Sequence, residues 1–498
     1  MPHPRYDFAG KTVLVMGLGR FGGGIDAAEF AVNAGAKVTV TDLATKQQLR
    51  DSVNKLDKFS NIEFHLGSHD PEDFEKADIV IANPAVPPDN KFLEIARRAG
   101  RLVTSQINIF FELCPARIIG ITGANGKSTT TALTAHLLRG TRDEGQETSK
   151  NHVIASGAKS QGWLTPQSQT TQYTIRTTQY GNVWLGGNIG NQPLLTILDQ
   201  ISERDLVVLE LSSFQIEQLA EIQKAPKVAL LTNLTPNHLD RYGTFEKYCA
   251  AKENIFRFQK PEENNPAISI FNAEDKIAAE WYEKYKNEPG RICIEFSAYD
   301  VIEDIRDCYK LPGRANLSNL AAALIIAKQF DIDNESIKKS LPAFKALPHR
   351  LELVEEINGV QWYNDSKATT PDGAITALNA FDQPIILIAG GYDKNLPFDE
   401  FGEKIAQKAK AAILIGQTAP LIADAISNAN NKRATSHESR ATRIDIVDSL
   451  PKAVKLANKL ALPGDIVLLS PACASYDMFE NYEQRGNEFA KLVQALGS

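Results

Sequence analysis

The chain has 498 residues, of which 54 are lysine or arginine and 61 are aspartate or glutamate, so its formal net charge is −7. Hydrophobic residues make up 43% and charged residues 23%, which is the composition of a globular protein several domains long. The acidic balance argues against a nucleic-acid-binding surface. No long uncharged apolar run or secretory leader occurs, so we expect neither membrane insertion nor export.

The five cysteines lie far apart in the sequence, without the CxxC spacing of a metal or redox motif. The wide separation of the cysteines and their odd number favour reduced thiols. We therefore expect a cytoplasmic protein.

Short β-branched runs alternate with helix-like segments over the first hundred residues. Strands are predicted at 11–16, 37–42 and 77–83, and a helix at 91–100. This alternation is typical of a parallel sheet with crossover helices. We predict a Rossmann-like domain over residues 1–105.

Two further α/β series follow. In the second, strands are predicted at 116–122, 205–211 and 227–233. In the third, strands are predicted at 361–365, 384–391, 411–416, 443–447 and 465–471. The predicted fold is α/β with three tandem domains: the first Rossmann-like, a central P-loop nucleotide-binding parallel sheet over 106–347, and a C-terminal Rossmann-like domain over 348–498. A Ser/Thr/Gln-rich stretch at about 141–182 is predicted to be a surface insertion.

A GxGxxG motif follows the first predicted strand. It comprises Gly17, Gly19 and Gly22, and Asp42 ends the next predicted strand. Small residues let the backbone approach phosphates at a helix N-terminus, and the acid can accept ribose hydroxyls. The motif favours a nucleotide or nucleoside-diphosphate ligand without saying which. A tight turn with glycine chosen only for close packing remains the alternative.

The segment ITGANGKSTT is a more specific motif, because it places glycines, a lysine and hydroxyls between a strand and a helix start. Backbone N–H groups of such a loop bind the phosphates of a nucleoside triphosphate. Lys127 would reach the β/γ oxygens and the Ser128 hydroxyl would face Mg²⁺. Ile121 stands where the strict P-loop pattern has glycine. The predicted ATP-binding residues of the loop are Gly123, Ala124, Asn125, Gly126, Lys127, Ser128 and Thr129.

Three residues of the central part could complete this site. Glu210 ends a predicted strand, at the sheet edge where α/β proteins bind ligands, and could be a second Mg²⁺ ligand. His238 follows the next strand, but a lone histidine is more often a hydrogen-bonded structural residue than a ligand. Lys252 reads, on its own, as a solvated helix lysine.

In the third part, polar residues again follow predicted strands. Asp365 and Lys367 lie before a helix that opens with proline, and Lys394 lies in a glycine-rich loop. Two lysines at neighbouring strand ends suit an anionic substrate such as a carboxylate or acyl phosphate. Cys473 is interpreted as a small buried residue rather than a nucleophile, because no base is evident in the sequence.

A series of motifs occurs in one order across residues 10 to 495, apart from the insertion. They are ITGANGKSTT, GGNIGNQPL, LELSSFQIE, LTNLTPNHLDRY, LPGRANLSN, LPHRLE, NDSKATTPD, GGYDKN and LLSPACASYDMFENYEQRGNEF. This series resembles the Mur ligases. The C-terminal motifs are the most specific, and resemble the branch that adds D-glutamate to UDP-N-acetylmuramoyl-L-alanine.

The resemblance implies three domains that bind the UDP substrate, ATP and the incoming amino acid. It also implies the reaction: the substrate carboxylate attacks the γ-phosphate of ATP, and the amine of D-glutamate attacks the acyl phosphate. Ser128 and Glu210 would be ligands of one Mg²⁺ and His238 of a second. Lys252 would be carried as a carbamate, whose oxygens can bind metal where an ammonium cannot. Lys127, Glu210, His238 and Lys252 would thus be the catalytic residues.

The resemblance assigns the remaining site residues by subsite. UDP-substrate contacts would come from Gly17, Gly19, Gly22, Asp42, Asn83 and Asn188. Further ATP contacts would come from Asn316, Asn319, Arg350 and Asp365. D-Glutamate contacts would come from Lys367, Thr369, Lys394, Ser475 and Tyr482. We expect a monomer whose partners are these small molecules alone.

Three alternatives remain open from the sequence. A ligase of the same superfamily could have another amino-acid specificity, including a folate-type polyglutamate ligase. An NAD-dependent oxidoreductase could be built on the GxGxxG motif, although it leaves the P-loop without a role. A nucleotide-gated binding module would bind ATP without hydrolysing it.

Overall fold

The computed structural model describes residues 6–19, 22–140, 180–189, 193–433 and 441–497. Most of the predicted surface insertion, residues 141–179, lies outside this range. The described residues form two compact units, the first within Met1–Ser297 and Ala322–Ser340, the second within Ala298–Ala321 and Leu341–Ser498. The first unit contains two sheets and the second contains one. The domain boundaries at 105 and 347 stay predictions.

The first sheet has five parallel strands in the order β3-β2-β1-β4-β5. This is the order of a Rossmann half with its switch point between β1 and β4, which is where such sheets bind ligands. The elements are β1 (Thr12–Met16), α1 (Gly23–Asn33), β2 (Lys37–Asp42), α2 (Arg50–Leu56), β3 (Ile62–Leu66), α3 (Pro71–Lys76), β4 (Ile79–Ala82), α4 (Lys91–Arg98), β5 (Leu102–Thr104) and α5 (Gln106–Leu113).

The second sheet has six parallel strands in the order β11-β10-β9-β6-β8-β7. Its elements are β6 (Arg117–Thr122), α6 (Lys127–Arg139), β7 (Val183–Gly187), β8 (Leu206–Glu210), α7 (Ser213–Glu221), β9 (Val228–Leu231), α8 (Leu239–Tyr242), α9 (Phe245–Arg257), β10 (Ala267–Asn272), α10 (Lys276–Tyr285) and β11 (Arg291–Phe296). After it come α11 (Glu303–Arg306), α12 (Arg314–Gln329) and α13 (Asn334–Ser340).

The third sheet has six strands in the order β12-β13-β17-β14-β15-β16. All neighbours are parallel except the β12–β13 pair, an antiparallel edge that the sequence did not predict. The elements are β12 (Glu352–Ile357), β13 (Val360–Asn364), α14 (Pro371–Leu378), β14 (Ile385–Ala389), α15 (Asp399–Lys408), β15 (Ala409–Leu414), α16 (Ala419–Arg433), β16 (Arg443–Ile446), α17 (Leu450–Leu460), β17 (Ile466–Leu469) and α18 (Tyr482–Gln494).

Buried apolar strands explain this arrangement. Every residue of β8, β9, β14 and β17 is buried, as expected for parallel strands covered by helices on both faces. The first two sheets share one hydrophobic cluster, which includes Val15 of β1, Phe110 of α5 and Leu209 of β8. The predicted α/β class is confirmed, and the carboxyl ends of the central strands carry the polar side chains described next.

Candidate active site

The loop after β6 is shaped by two glycines. Gly123 has φ +148°, and a Cβ there would overlap the Thr232 hydroxyl, so a side chain does not fit. Gly126 has φ 82° and is the N-cap of α6, which begins at Lys127. The loop is held by the segment after β9, because Asn233 accepts hydrogen bonds from Ala124 N at 2.8 Å and, through Oδ1, from Asn125 N at 2.9 Å. The loop therefore leads into a helix N-terminus, the geometry that binds phosphate.

Glu210 is the centre of a hydrogen-bonded group at this edge. It is the last residue of β8 and only 2% exposed, and its Oε2 accepts a hydrogen bond from Ser128 Oγ at 2.5 Å. Its Oε1 accepts one from Asn188 Nδ2 at 3.0 Å. The strand ends here because Ser212 and Gln215 form a capping box that starts α7. The structure therefore brings three predicted residues of two subsites together.

The approach of Asn188 to Glu210 depends on a glycine. Gly187 has φ +86°, and a Cβ there would overlap the Glu210 carbonyl oxygen. Asn188 N donates to that carbonyl at 2.8 Å. Only glycine allows the two backbones to lie this close.

Lys252 is fully buried in α9, although the sequence alone suggested a solvated residue. Its Nζ donates to Thr122 Oγ1 at 3.0 Å. Burial lowers the pKa of its ammonium well below the usual value, the charge of Lys127 lowers it further, and Glu210 opposes both. A depressed pKa favours the neutral amine over the ammonium.

Lys127 and His238 lie near this group. Lys127 Nζ donates to Ala124 O at 2.7 Å, which folds the side chain over its own loop. His238 has φ 54° and precedes α8, and its ring lies 5.0 Å from that of Phe214. Burial lowers the pKa of His238, and the charges of Lys252 and Lys127 lower it further. A neutral imidazole is the form that binds metal.

The GxGxxG loop adopts a conformation that favours glycine. Gly17, Gly19 and Gly22 have φ values of 87°, 62° and 89°. Asp42 is hydrogen-bonded to this loop, because its Oδ2 accepts from Gly19 N at 3.1 Å while Oδ1 accepts from Ala44 N at 2.8 Å. Asn83 Nδ2 donates to Gly17 O at 3.2 Å. The residues of the first sheet that were predicted to bind UDP therefore lie together at the carboxyl ends of the neighbouring strands β2, β1 and β4.

The second unit brings together the predicted D-glutamate residues. Lys367 Nζ lies 5.2 Å from the centre of the Tyr482 ring. Lys394 follows Gly390 and Gly391, where a Cβ would overlap the carbonyl oxygens of Ile415 and Ala474. Tyr392 N donates to Ala474 O at 2.9 Å, so the loop of Lys394 lies against the loop of the buried Ser475. Thr369 is half-buried in the loop between Lys367 and α14.

The remaining predicted ATP contacts also lie in the second unit. Asn316 and Asn319 are hydrogen-bonded to each other at 3.2 Å on α12. Asp365 follows β13 and accepts from Ser470 Oγ at 2.8 Å, and Arg350 lies two residues before β12. Burial raises the pKa of Asp365 to about 7, against the hydrogen bonds and the Arg350 charge that lower it.

The raised pKa of Asp365 predicts a pH-dependent stability. A carboxyl that binds its proton more tightly when folded stabilises the fold at low pH and loses this contribution as the pH rises through about 7. Between pH 4 and 8 we expect the wild type to lose up to about 4 kcal/mol relative to Asp365→Asn. Thermal unfolding of both proteins across this range measures the difference. A difference that does not change with pH would contradict the burial of this carboxyl.

Sequence reasoning missed Arg485, which is 1% exposed in α18. It donates to Ser366 Oγ, Ser366 O, Cys473 O and Ala474 O at 2.9–3.2 Å. Burial lowers its pKa to about 10. Sequence reasoning also missed Thr232 and Asn233, whose side chains donate to Asn125 O in the phosphate loop, and Thr122, which accepts from Lys252. Their positions at the ends of β6 and β9 were the available signal.

The described ranges contain neither a preformed cluster of metal ligands nor a membrane-spanning helix. There, no three His, Cys, Asp or Glu side chains form a group that could hold a metal ion. A metal bound at Ser128 and Glu210 would therefore need further oxygens from a carbamate, a phosphate or water. No helix of these ranges is long and apolar enough to cross a membrane.

Three family profiles match consecutive parts of the chain. A Mur ligase MurD-like N-terminal domain matches residues 11–105, a Mur ligase middle domain 121–308, and a Mur ligase glutamate ligase domain 349–473. The UDP-N-acetylmuramoylalanine–D-glutamate ligase of Roseiflexus sp. (strain RS-1) is 37% identical, over 98% of this chain and 99% of the relative. The chain belongs to the Mur ligase family.

A second relative and one solved structure match over similar lengths. The enzyme of the same name from Acetivibrio thermocellus is 36% identical, over 98% of this chain and 97% of the relative. Among solved structures, a pseudomurein peptide ligase type C from Methanothermus fervidus is 16% identical with a TM-score of 0.49, over 98% of this chain and all of that chain. Membership of the Mur ligases favours a ligase over the oxidoreductase considered from the GxGxxG motif.

Proposed function

We propose that this chain is an ATP-dependent ligase that joins D-glutamate to UDP-N-acetylmuramoyl-L-alanine in peptidoglycan precursor synthesis. The observation that carries the proposal is the group formed by Ser128, Glu210 and Asn188 beside the phosphate loop, in a chain whose relatives carry this activity in their names. The glutamate ligase profile over residues 349–473 supports the amino-acid specificity.

The first step is phosphoryl transfer. The phosphates of ATP bind the N–H groups of the loop before α6. The carboxylate of the muramoyl substrate attacks the γ-phosphorus, the bond from phosphorus to the β–γ bridging oxygen breaks, and ADP leaves. Lys127 turns from Ala124 O towards the β/γ oxygens, where its charge stabilises the transition state. Asn188 holds the substrate near the transferred phosphoryl group while its amide stays on Glu210.

The second step is amide formation. The amine of D-glutamate attacks the acyl carbon of the acyl phosphate and loses a proton. The carbon–oxygen bond to the phosphate then breaks, and inorganic phosphate leaves. Lys367, Lys394 and the hydroxyls of Thr369 and Ser475 would hold the two carboxylates of D-glutamate. Arg485 supports this subsite indirectly, because it fixes the loops that carry Lys367 and Ser475 through their backbone carbonyls.

The residues of the first unit fit a magnesium ion. Ser128 Oγ and Glu210 Oε2 are adjacent oxygens, the ligand type that Mg²⁺ prefers when phosphates complete its shell. A second ion would be held by neutral His238. Bound Mg²⁺ neutralises charge on phosphate oxygens.

The proposal includes a carbamate on Lys252. Its neutral amine is the form that can attack CO₂, and the N–H proton is released as the carbamate forms. The carbamate would supply an anionic oxygen ligand to a metal bound near Ser128 and Glu210. The ammonium form could not, since a cation does not bind a metal.

We also propose that the enzyme acts in the cytoplasm as a monomer. None of the five cysteines, all of which lie in described ranges, forms a disulfide, as expected in a reducing compartment.

Phosphate release tests the proposed function. The enzyme is incubated with ATP, Mg²⁺ and UDP-N-acetylmuramoyl-L-alanine, and with D-Glu, L-Glu, meso-diaminopimelate, L-Lys or L-Ala in turn. We expect release with D-Glu alone. Release that depends on another amino acid would contradict the specificity, and ATP binding without release under all conditions would favour a nucleotide-gated binding module.

A further inference from the structure

Asp26 is a buried carboxylate in α1, the helix that follows the GxGxxG loop. It is 3% exposed. Its Oδ2 accepts hydrogen bonds from Leu194 N at 2.9 Å and Leu195 N at 2.8 Å, while Oδ1 accepts from Thr196 N at 3.1 Å and Thr196 Oγ1 at 2.7 Å. Gln106 Nε2 donates to Oδ2 at 2.5 Å. Helix α1 of the first sheet is thereby bonded to the segment that leads into β8 of the second.

These hydrogen bonds make the position of residues 194–196 depend on the Asp26 carboxylate. All five donors are uncharged amides or a hydroxyl, so these hydrogen bonds depend on how the segment is oriented. Hydrogen bonds to a carboxylate are about twice as strong as neutral ones. Leu194 and Leu195 are each 1% exposed, so their amides cannot turn to water without exposing apolar side chains.

The contact between Asp26 and Leu194 joins two parts of the proposed site, the GxGxxG loop and the group around Asn188. Asp26 lies one turn after Gly22, the N-cap of α1 at the end of the GxGxxG loop. On the other side, Leu194 comes six residues after Asn188, which donates to Glu210, and Glu210 accepts from Ser128. Residues 190–192 of this connection lie outside the described ranges.

We propose that Asp26 is a positioning residue, which sets the UDP-binding loop at the correct distance from Asn188 and the phosphoryl-transfer residues. The inference rests on the proposed function. The muramoyl substrate must bind at the GxGxxG loop and present its carboxylate near Asn188 at the same time. A shift between the two loops therefore misplaces the reacting carboxylate without altering the phosphate loop itself.

Steady-state kinetics of Asp26→Asn test this inference. Because a misplacement of about 1 Å can cost up to about 100-fold, we expect kcat/KM for UDP-N-acetylmuramoyl-L-alanine to fall by about 10- to 100-fold. The affinity for a non-hydrolysable ATP analogue, measured without the muramoyl substrate, is expected to change by less than about two-fold. None of the five hydrogen bonds of Asp26 described above involves the phosphate loop.

Asp205→Asn is the matched control. Asp205 is 2% exposed and its carboxylate also accepts two backbone N–H groups, Asn182 N at 2.6 Å and Ser202 N at 3.0 Å, together with Trp184 Nε1 at 2.8 Å. It lies before β8, at the opposite end of that strand from Glu210. This variant is expected to lose stability while keeping the wild-type kcat/KM.

The outcomes separate the inference from the function. Wild-type enzyme that forms no product refutes the proposed function and the inference with it. Active wild type, with Asp26→Asn and Asp205→Asn kinetically alike, overturns the inference alone. If Asp26→Asn does not fold, Thr196→Val decides, because it removes only the hydroxyl donor. We expect a loss of about 3- to 10-fold in kcat/KM, and unchanged kinetics would overturn the inference.

Discussion

Lys127→Ala is expected to lower the rate of ADP formation by at least about 1,000-fold, because it removes a charge directed at the transferred phosphoryl group. The substitution also has a second effect, on Lys252. The Lys127 charge also lowers the pKa of Lys252, so its loss raises that pKa and disfavours the neutral amine that a carbamate requires. Single-turnover ADP formation with saturating substrates measures the effect on the phosphoryl-transfer step.

Two controls separate chemistry from folding. The thermal midpoint of Lys127→Ala should stay close to that of the wild type, since the side chain makes its 2.7 Å hydrogen bond within its own loop. Lys247→Ala changes an exposed lysine of α9 and should leave turnover unaltered. A Lys127→Ala enzyme with near wild-type ADP formation would refute the proposed role of the loop.

Lys252→Ala is expected to be almost inactive and to regain part of its activity with formate or acetate. The alanine leaves space beside Thr122, where the lysine amine now donates at 3.0 Å. A small carboxylate bound there would supply the oxygens of the lost carbamate. We expect a loss of at least about 100-fold, with rescue that rises with the carboxylate concentration.

Lys252→Arg is the matched control for this rescue. Arginine fills the space, stays charged and cannot form a carbamate, so it should be inactive with or without added carboxylate. Wild-type turnover in Lys252→Ala without any addition would contradict the carbamate. So would a crystal structure with Mg²⁺ and ATP that shows an unmodified Lys252 far from the metal.

The sequence predicted the parts of the fold whose signals are local. The alternating β-branched runs predicted the parallel strands, and the glycines at 17, 19 and 22 predicted a turn that does require positive φ. The antiparallel strand β12 was missed, because its sequence ELVEEI contains three glutamates and none of its residues is fully buried, unlike the buried apolar runs of the central strands.

Burial and long-range contacts could not be predicted from local pattern. From the sequence, Lys252 is interpreted as a solvated helix lysine. Nothing in KYCAAKENIF indicates that its side chain is buried and donates to Thr122. Asp26 and Leu194 are 168 residues apart, and their contact arises only when both sheets are folded. Arg485 is similar, since its carbonyl partners come from two distant loops.

Product analysis tests the central claim most directly. The enzyme is incubated with ATP, Mg²⁺, UDP-N-acetylmuramoyl-L-alanine and isotopically labelled D-glutamate, with Lys127→Ala in parallel, and the UDP-linked products are resolved by mass spectrometry. We predict one new product that carries the label through an amide bond, formed with one ADP per amide and absent with Lys127→Ala. Consumption of ATP without incorporation of D-glutamate would contradict the proposed function.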